Sequence, residues 1–132
     1  LDDPMVWILH AGYCWVILGL FFIGVSALGF VPFSIALHVF TAGAIGSMTL
    51  GMMCRVTLGH TGRDKIATNL TKLSFLLLQC AIFMRVFGLI IAPDYSVEWI
   101  IGSATVWVLC FVLYILIYVP MLWKPDLDER VV

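Results

Sequence analysis

Three histidines, an isolated arginine and a group of sulfur-bearing side chains are the residues of this 132-residue sequence best suited to chemistry. His38 lies about one turn inside one end of an apolar run. His10 lies about one and a half turns inside the opposite end of another run, and His60 falls just past the far end of the run that holds His38. Two levels are thereby marked, an outer one at His38 and an inner one at His10 and His60. At the inner level His10 and Cys14, four residues apart on one helical face, come to the same side as Met52, Met53, Cys54 and His60. Imidazole, thioether and thiol together suit copper. The same Met and Cys side chains are also ordinary packing groups of an apolar interior, and His60 at a helix C-terminus favours the helix dipole.

Around His38 the helical period places Ala42, Ile45, Thr49, Met52 and Met53 on its face. Small residues beside an imidazole let a flat macrocycle approach the backbone, which makes Gly43 and Gly46 candidate cofactor contacts. The rows Gly43-xxx-Ser47-xxx-Gly51 and Ala42-xxx-Gly46, with Gly12, Gly19 and Ser26 in the first run, are in the first place helix-packing seams.

Arg85 stands inside the third apolar run, about seven residues or roughly 10 Å from its outer end. A cation facing lipid there costs at least about 2.5 kcal/mol, so it is expected to face protein, water or a bound anion. One reading is that it snorkels to the outer headgroups or bonds a neighbouring carbonyl. The other is an ion pair with a buried anion such as a cofactor propionate. Asp94 and Glu98, at the outer boundary, are the carboxylates within reach on a suitably tilted helix.

Other chemistries are not indicated. Cys14, Cys54, Cys80 and Cys110 all fall in apolar segments without a Cys-x-x-Cys pair, so neither a zinc knuckle nor an exported disulfide framework is expected. There is no Gly-rich phosphate loop, no Ser-His-Asp order and no basic run for nucleic acid. The net charge of −1 conceals a strong asymmetry along the chain and points to no soluble partner.

The elements that must position these residues are apolar helices. The chain is 63% hydrophobic and 11% charged, too few charges to build a soluble surface. Four runs, residues 5–29, 34–58, 70–92 and 97–122, each exceed the roughly 20 residues that span a hydrocarbon core. Their length and lack of period-2 alternation, as in Leu76-Leu77-Leu78, specify α-helices rather than barrel strands. The first run follows Asp2 and Asp3 instead of a basic leader and is too long for a cleavable signal. Beginning at Leu1 without an initiator Met, the sequence is expected to be a piece of a larger polytopic protein.

Residues 29–33 and 92–96 form short turns, residues 59–69 a polar loop with Asn69 as N-cap of the third helix, and residues 123–132 a short tail. Short joints make neighbours antiparallel, so the expected fold is all-α: a single membrane domain built as an up-down four-helix bundle. Arg55, Arg63, Lys65, Lys72, Lys124 and Arg130 fall on the side of the termini and the 59–69 loop, so both ends are expected to be cytoplasmic. Trp7, Trp99 and Trp123 near helix ends suit aromatic belts.

The stretch His38-Val39-Phe40-Thr41-Ala42-Gly43-Ala44-Ile45-Gly46-Ser47-Met48-Thr49-Leu50, continued by Met52-Met53-Cys54-Arg55 and Leu58-Gly59-His60-Thr61-Gly62-Arg63, resembles the hallmark segment of the NnrS family. Weaker similarity extends from Trp7-x-x-His10 to Trp123-Lys124-Pro125, while Cys54 and Ser47 stand where Thr is usual. The resemblance implies the last third of a bacterial inner-membrane protein that carries haem and copper and serves nitric oxide metabolism and relief of nitrosative stress. Combined with the residue reading, it implies His38 as axial ligand of a b-type haem and Arg85 beside a propionate. His10 or His60, with Met52 or Met53, would then contribute to copper.

The expected partners are the lipid bilayer, the remaining helices of the full-length protein and a second copy of the chain. A reading of another class is a non-catalytic transporter or structural helical unit, in which Arg85 holds an anion on its path and the glycine rows let helices slide.

Overall fold

The computed structural model describes residues 3–123; Asp2, Lys124, Arg130 and nearly all of the expected tail lie outside them. Among the described residues the fold is all-helical, with four helices long and apolar enough to cross a membrane: α1 (Pro4–Ala27), α2 (Phe33–His60), α3 (Asn69–Ile91) and α4 (Ser96–Leu122). A single 3₁₀ turn, Pro93–Tyr95, leads into α4. Each helix begins and ends within two residues of its expected bounds.

Local chemistry accounts for the ends. Asp3 caps α1 by accepting from the Met5 amide at 2.9 Å, with Pro4 at the first helical position, where its missing N–H costs nothing. α1 and α2 both close with a left-handed glycine, Gly29 at φ 82° and Gly62 at φ 62°. In each the amide two residues past the cap returns to the third carbonyl from the end, Phe30 to Val25 at 3.2 Å and Arg63 to Leu58 at 2.9 Å.

Asn69 is not the cap of α3. Thr68 holds that position, its Oγ1 accepting from the Thr71 amide at 3.2 Å, and Asn69 is the first helical residue. Thr68→Ala is therefore expected to destabilise the start of α3 by about 1 kcal/mol, while Asn69→Ala stays within about 0.5 kcal/mol, as read from thermal unfolding in detergent.

α1 lies along α2 and α3 along α4. The α1–α2 seam is reciprocal. A Cβ on Gly12 would meet Met48 Cγ at 2.7 Å and one on Gly19 would meet the Phe40 ring at 2.6 Å. From the other side, a Cβ on Gly43 would meet Trp15 Cγ at 2.8 Å and one on Gly51 would meet Ile8 Cγ2 at 2.6 Å. Each helix thus offers glycine where the other offers bulk, the close approach that packing within a bilayer requires. On α3 the Trp99 ring of α4 fills the space beside Gly88. Trp99 is therefore half-buried between helices rather than an anchor in lipid, and its buried Nε1–H has no acceptor.

α3 is the central helix: 44% of its most apolar stretch is buried, against 11% for α4. It also carries a buried polar link through the middle of the bundle. Trp15 Nε1 donates to Gln79 Oε1 at 2.7 Å, and Gln79 Nε2 donates to Ser47 Oγ at 2.9 Å, joining α1, α3 and α2. Nearer the 61–68 loop, Thr71 and Tyr118 share a hydroxyl hydrogen bond of 3.0 Å that ties α3 to α4.

Candidate functional site

Two of the four helices change their winding where the sequence placed its chemistry. Residues Val39–Ile45 of α2 and Met84–Gly88 of α3 are π-helical, with the Gly46 amide reaching back five residues to Thr41. Each π segment takes up an extra residue per turn and shifts everything beyond it around the axis, a departure concentrated at functional sites. His38 is the residue immediately before the first segment, and Arg85 lies within the second.

The π segment corrects the face expected for α2. Uniform winding put His38, Ala42, Ile45, Thr49, Met52 and Met53 together; instead His38 and Ala42 line one cleft, Ile45 is 60% exposed, and Thr49, Met52 and Met53 line a separate groove. The rotation between residues 39 and 45 divides the stripe in two.

His38 is held in a defined tautomer. Its Nδ1 lies 2.6 Å from the Ser34 carbonyl, an acceptor only, so the proton sits on Nδ1 and the Nε2 lone pair is left open. Arg85 Nη2 donates to that lone pair at 3.1 Å. The guanidinium is thus bound to His38 and not to Asp94 or Glu98, both of which are exposed. A cleft of about 300 Å³ opens beside the pair, walled by Ala42 of α2, Ala81 and Ile82 of α3, and Ser103, Ala104 and Trp107 of α4. Its volume is at the lower end of ordinary ligand pockets, and its mouth is open on one side.

This cleft can supply one neutral imidazole nitrogen, one fixed cation and a mostly apolar wall of small side chains. Those groups fit a residue that would hold a haem iron: His38 lines the cleft, and its Nδ1 is anchored to a backbone carbonyl, as ligating imidazoles generally are. The glycines do not contribute to the wall. Gly43 is buried beneath Trp15, and a Cβ on Gly46 would find only ordinary contacts, 3.7 Å to the Thr41 carbonyl and 3.9 Å to Leu78. Gly43 belongs to helix packing.

Only some of the copper donors come together within the described residues. Met52 and His60 line one cleft, but Arg55 and Lys65 line it too, and two cations there raise the cost of adding a metal cation. Met52 also shares a groove with Met53, Met48 and Thr49, while His10 is exposed on α1 with its Nδ1 on the Val6 carbonyl at 3.0 Å. Cys54 is fully buried, away from exposed Met52, and Cys14 is exposed. No group of three or more His, Cys, Asp or Glu able to hold a metal ion occurs among the described residues.

The cleft walls from α3 and α4, Ser103 and Trp107 among them, carry no signal in the sequence that sets them apart from other residues of an apolar helix. Gln79, an amide in the middle of a membrane span, is a signal in itself, and it belongs to the polar link with Trp15 and Ser47 rather than to the cleft. The π segments left no local signal, since neither contains proline and their glycines also read as packing residues.

A family model described as NnrS protein matches residues 1–126. No curated protein and no solved structure matches the chain.

Proposed function

Since the chain belongs to the NnrS family of nitric oxide-related membrane proteins, we propose that it is a haem-binding unit of nitric oxide metabolism, in which His38 would hold the iron in the cleft between α2, α3 and α4. One observation carries this reading: the His38 Nε2 lone pair is directed at Arg85 on a ligand-sized cleft, with the tautomer held by the Ser34 carbonyl. Haem bound there would supply an iron able to bind nitric oxide and exchange an electron. The protein's part is to present a neutral imidazole, to place a cation that favours a propionate, and to exclude water with Ala42, Ala81, Ala104 and Trp107.

Copper, which the family reading also brings, would draw on Met52 with His60 or Met53, the donors that share a cleft or groove among the described residues. The orientation we propose follows from charge. Arg63 and Lys65 lie within residues 61–68, and Arg55 and Lys72 flank them, so that side faces the cytoplasm and the cleft lies toward the opposite face of a bacterial inner membrane.

The test is the optical spectrum of the purified protein, oxidised and dithionite-reduced, beside that of His38→Ala. The expected result is a haem band that is lost, or falls at least about tenfold in occupancy, in the variant. Unchanged haem content in His38→Ala would remove the assignment.

A further inference from the structure

The nitrogen that His38 would offer to a metal is already engaged. Arg85 Nη2 donates to it at 3.1 Å, and the other ring nitrogen is occupied by the Ser34 carbonyl. Nε2 has a single in-plane lone pair, so it can accept from Arg85 or coordinate a metal, but not both. The guanidinium for its part has five N–H donors and no acceptor, and it is strongest against a planar carboxylate, which it meets with two parallel hydrogen bonds. The surrounding wall is almost wholly apolar, with Ser103 Oγ already donating to the Ile100 carbonyl at 3.0 Å, so little else in the cleft competes for Arg85.

From this geometry we infer that Arg85 is a specificity latch: it covers the His38 lone pair until a ligand arrives carrying its own carboxylate, and so admits an anionic metal chelate while rejecting bare metal ions and neutral macrocycles. The inference rests on His38 being the ligating residue. The exchange balances. One Arg–His hydrogen bond and the bond from the chelate's metal to a water break, one nitrogen–metal bond and one guanidinium–carboxylate pair form, the water leaves to solvent, and no proton is gained or lost, because the imidazole stays neutral and the guanidinium stays charged throughout. A ligand without a carboxylate must break the same Arg–His bond and leave the cation in an apolar cleft with nothing in return. The two π segments, wound less tightly than the helices around them, are where small changes of winding can part the two side chains.

The experiment uses the haem-free protein in nanodiscs and two probes, iron protoporphyrin and its dimethyl ester, titrated optically. A hydrogen bond to a charged donor corresponds to about tenfold or more in affinity. The wild-type protein is therefore expected to prefer the free acid by at least about tenfold. Arg85→Leu should reverse the preference, weakening the free acid and tightening the ester, since the lone pair is uncovered and the carboxylate partner is gone. Arg85→Lys, which keeps the cation in case Arg85→Leu fails to fold, should retain part of the preference for the free acid. Ester binding unchanged or weakened in Arg85→Leu, or a loss of the acid preference in Arg85→Lys equal to that in Arg85→Leu, would overturn the latch. Retention of both probes by His38→Ala would instead remove the ligand assignment beneath it, and wild-type preference for the ester would overturn the latch while leaving that assignment standing.

Discussion

Trp15→Ala is expected to cost the bundle about 3–5 kcal/mol, the range for emptying a large aromatic site in a packed core. Trp15 is 3% exposed and sits where three helices meet. Its side chain fills the space over Gly43 of α2, its ring meets Phe83 edge-on at 5.2 Å, and its Nε1 donates to Gln79 at 2.7 Å. Packing rather than the hydrogen bond should dominate the loss. Interhelical hydrogen bonds within membranes average only about 0.6 kcal/mol, because the separated helices also find partners. Trp15→Phe, which keeps a ring over Gly43 but leaves Gln79 Oε1 without its donor, is accordingly expected to lose no more than about 2 kcal/mol. Unfolding in mixed micelles, followed by far-UV circular dichroism, measures both. Equal losses for the two variants would show that the polar link through Gln79 and Ser47 is what holds α1 to the bundle.

Gly43→Val should be nearly as damaging, at about 3 kcal/mol or more, by the opposite mechanism of overpacking. The added atoms would meet Trp15 at Cγ, Cδ2 and Cβ, all between 2.8 and 3.0 Å from the position of a Cβ. Trp15 Cβ is fixed to the α1 backbone, so turning the ring cannot clear the site by itself and α1 and α2 must part. Gly24→Val, on the partner helix α1 but with nothing within 4 Å, should be near neutral. The coupling is a sharper check than either single change. In Trp15→Ala with Gly43→Val, the valine enters the space that tryptophan vacated, and the double variant should be more stable than the sum of the two losses by at least about 1 kcal/mol. Strict additivity would mean that the two residues do not meet.

Helix positions, number and membrane character were legible because each rests on a rule that acts locally. A backbone in lipid must satisfy its own hydrogen bonds, so apolar runs of more than about 20 residues become helices whatever their neighbours are. The glycine rows were legible as seams for the same reason, and the structure puts Gly12, Gly19, Gly43 and Gly51 against Met48, Phe40, Trp15 and Ile8. Asn69 failed as a cap because Thr68, one residue earlier, has the hydroxyl in the position that reaches the Thr71 amide.

What the chain alone determined is therefore a set of four membrane helices, the levels at which His10, His38, His60 and Arg85 sit, and, through the segment from His38 to Arg63, its family. Which of those side chains meet was decided only by tertiary structure. His38 and Arg85 are 47 residues apart, and their contact depends on two helices packing side by side and on two π segments that reset the direction of every side chain beyond them. The same reset separated Met52 and Met53 from His38, and so dispersed the faces that a uniform period of 3.6 would have drawn together. Depth along a helix is counted in residues and survives such a change, whereas direction around the axis is a phase, and one extra residue in a turn is enough to alter it.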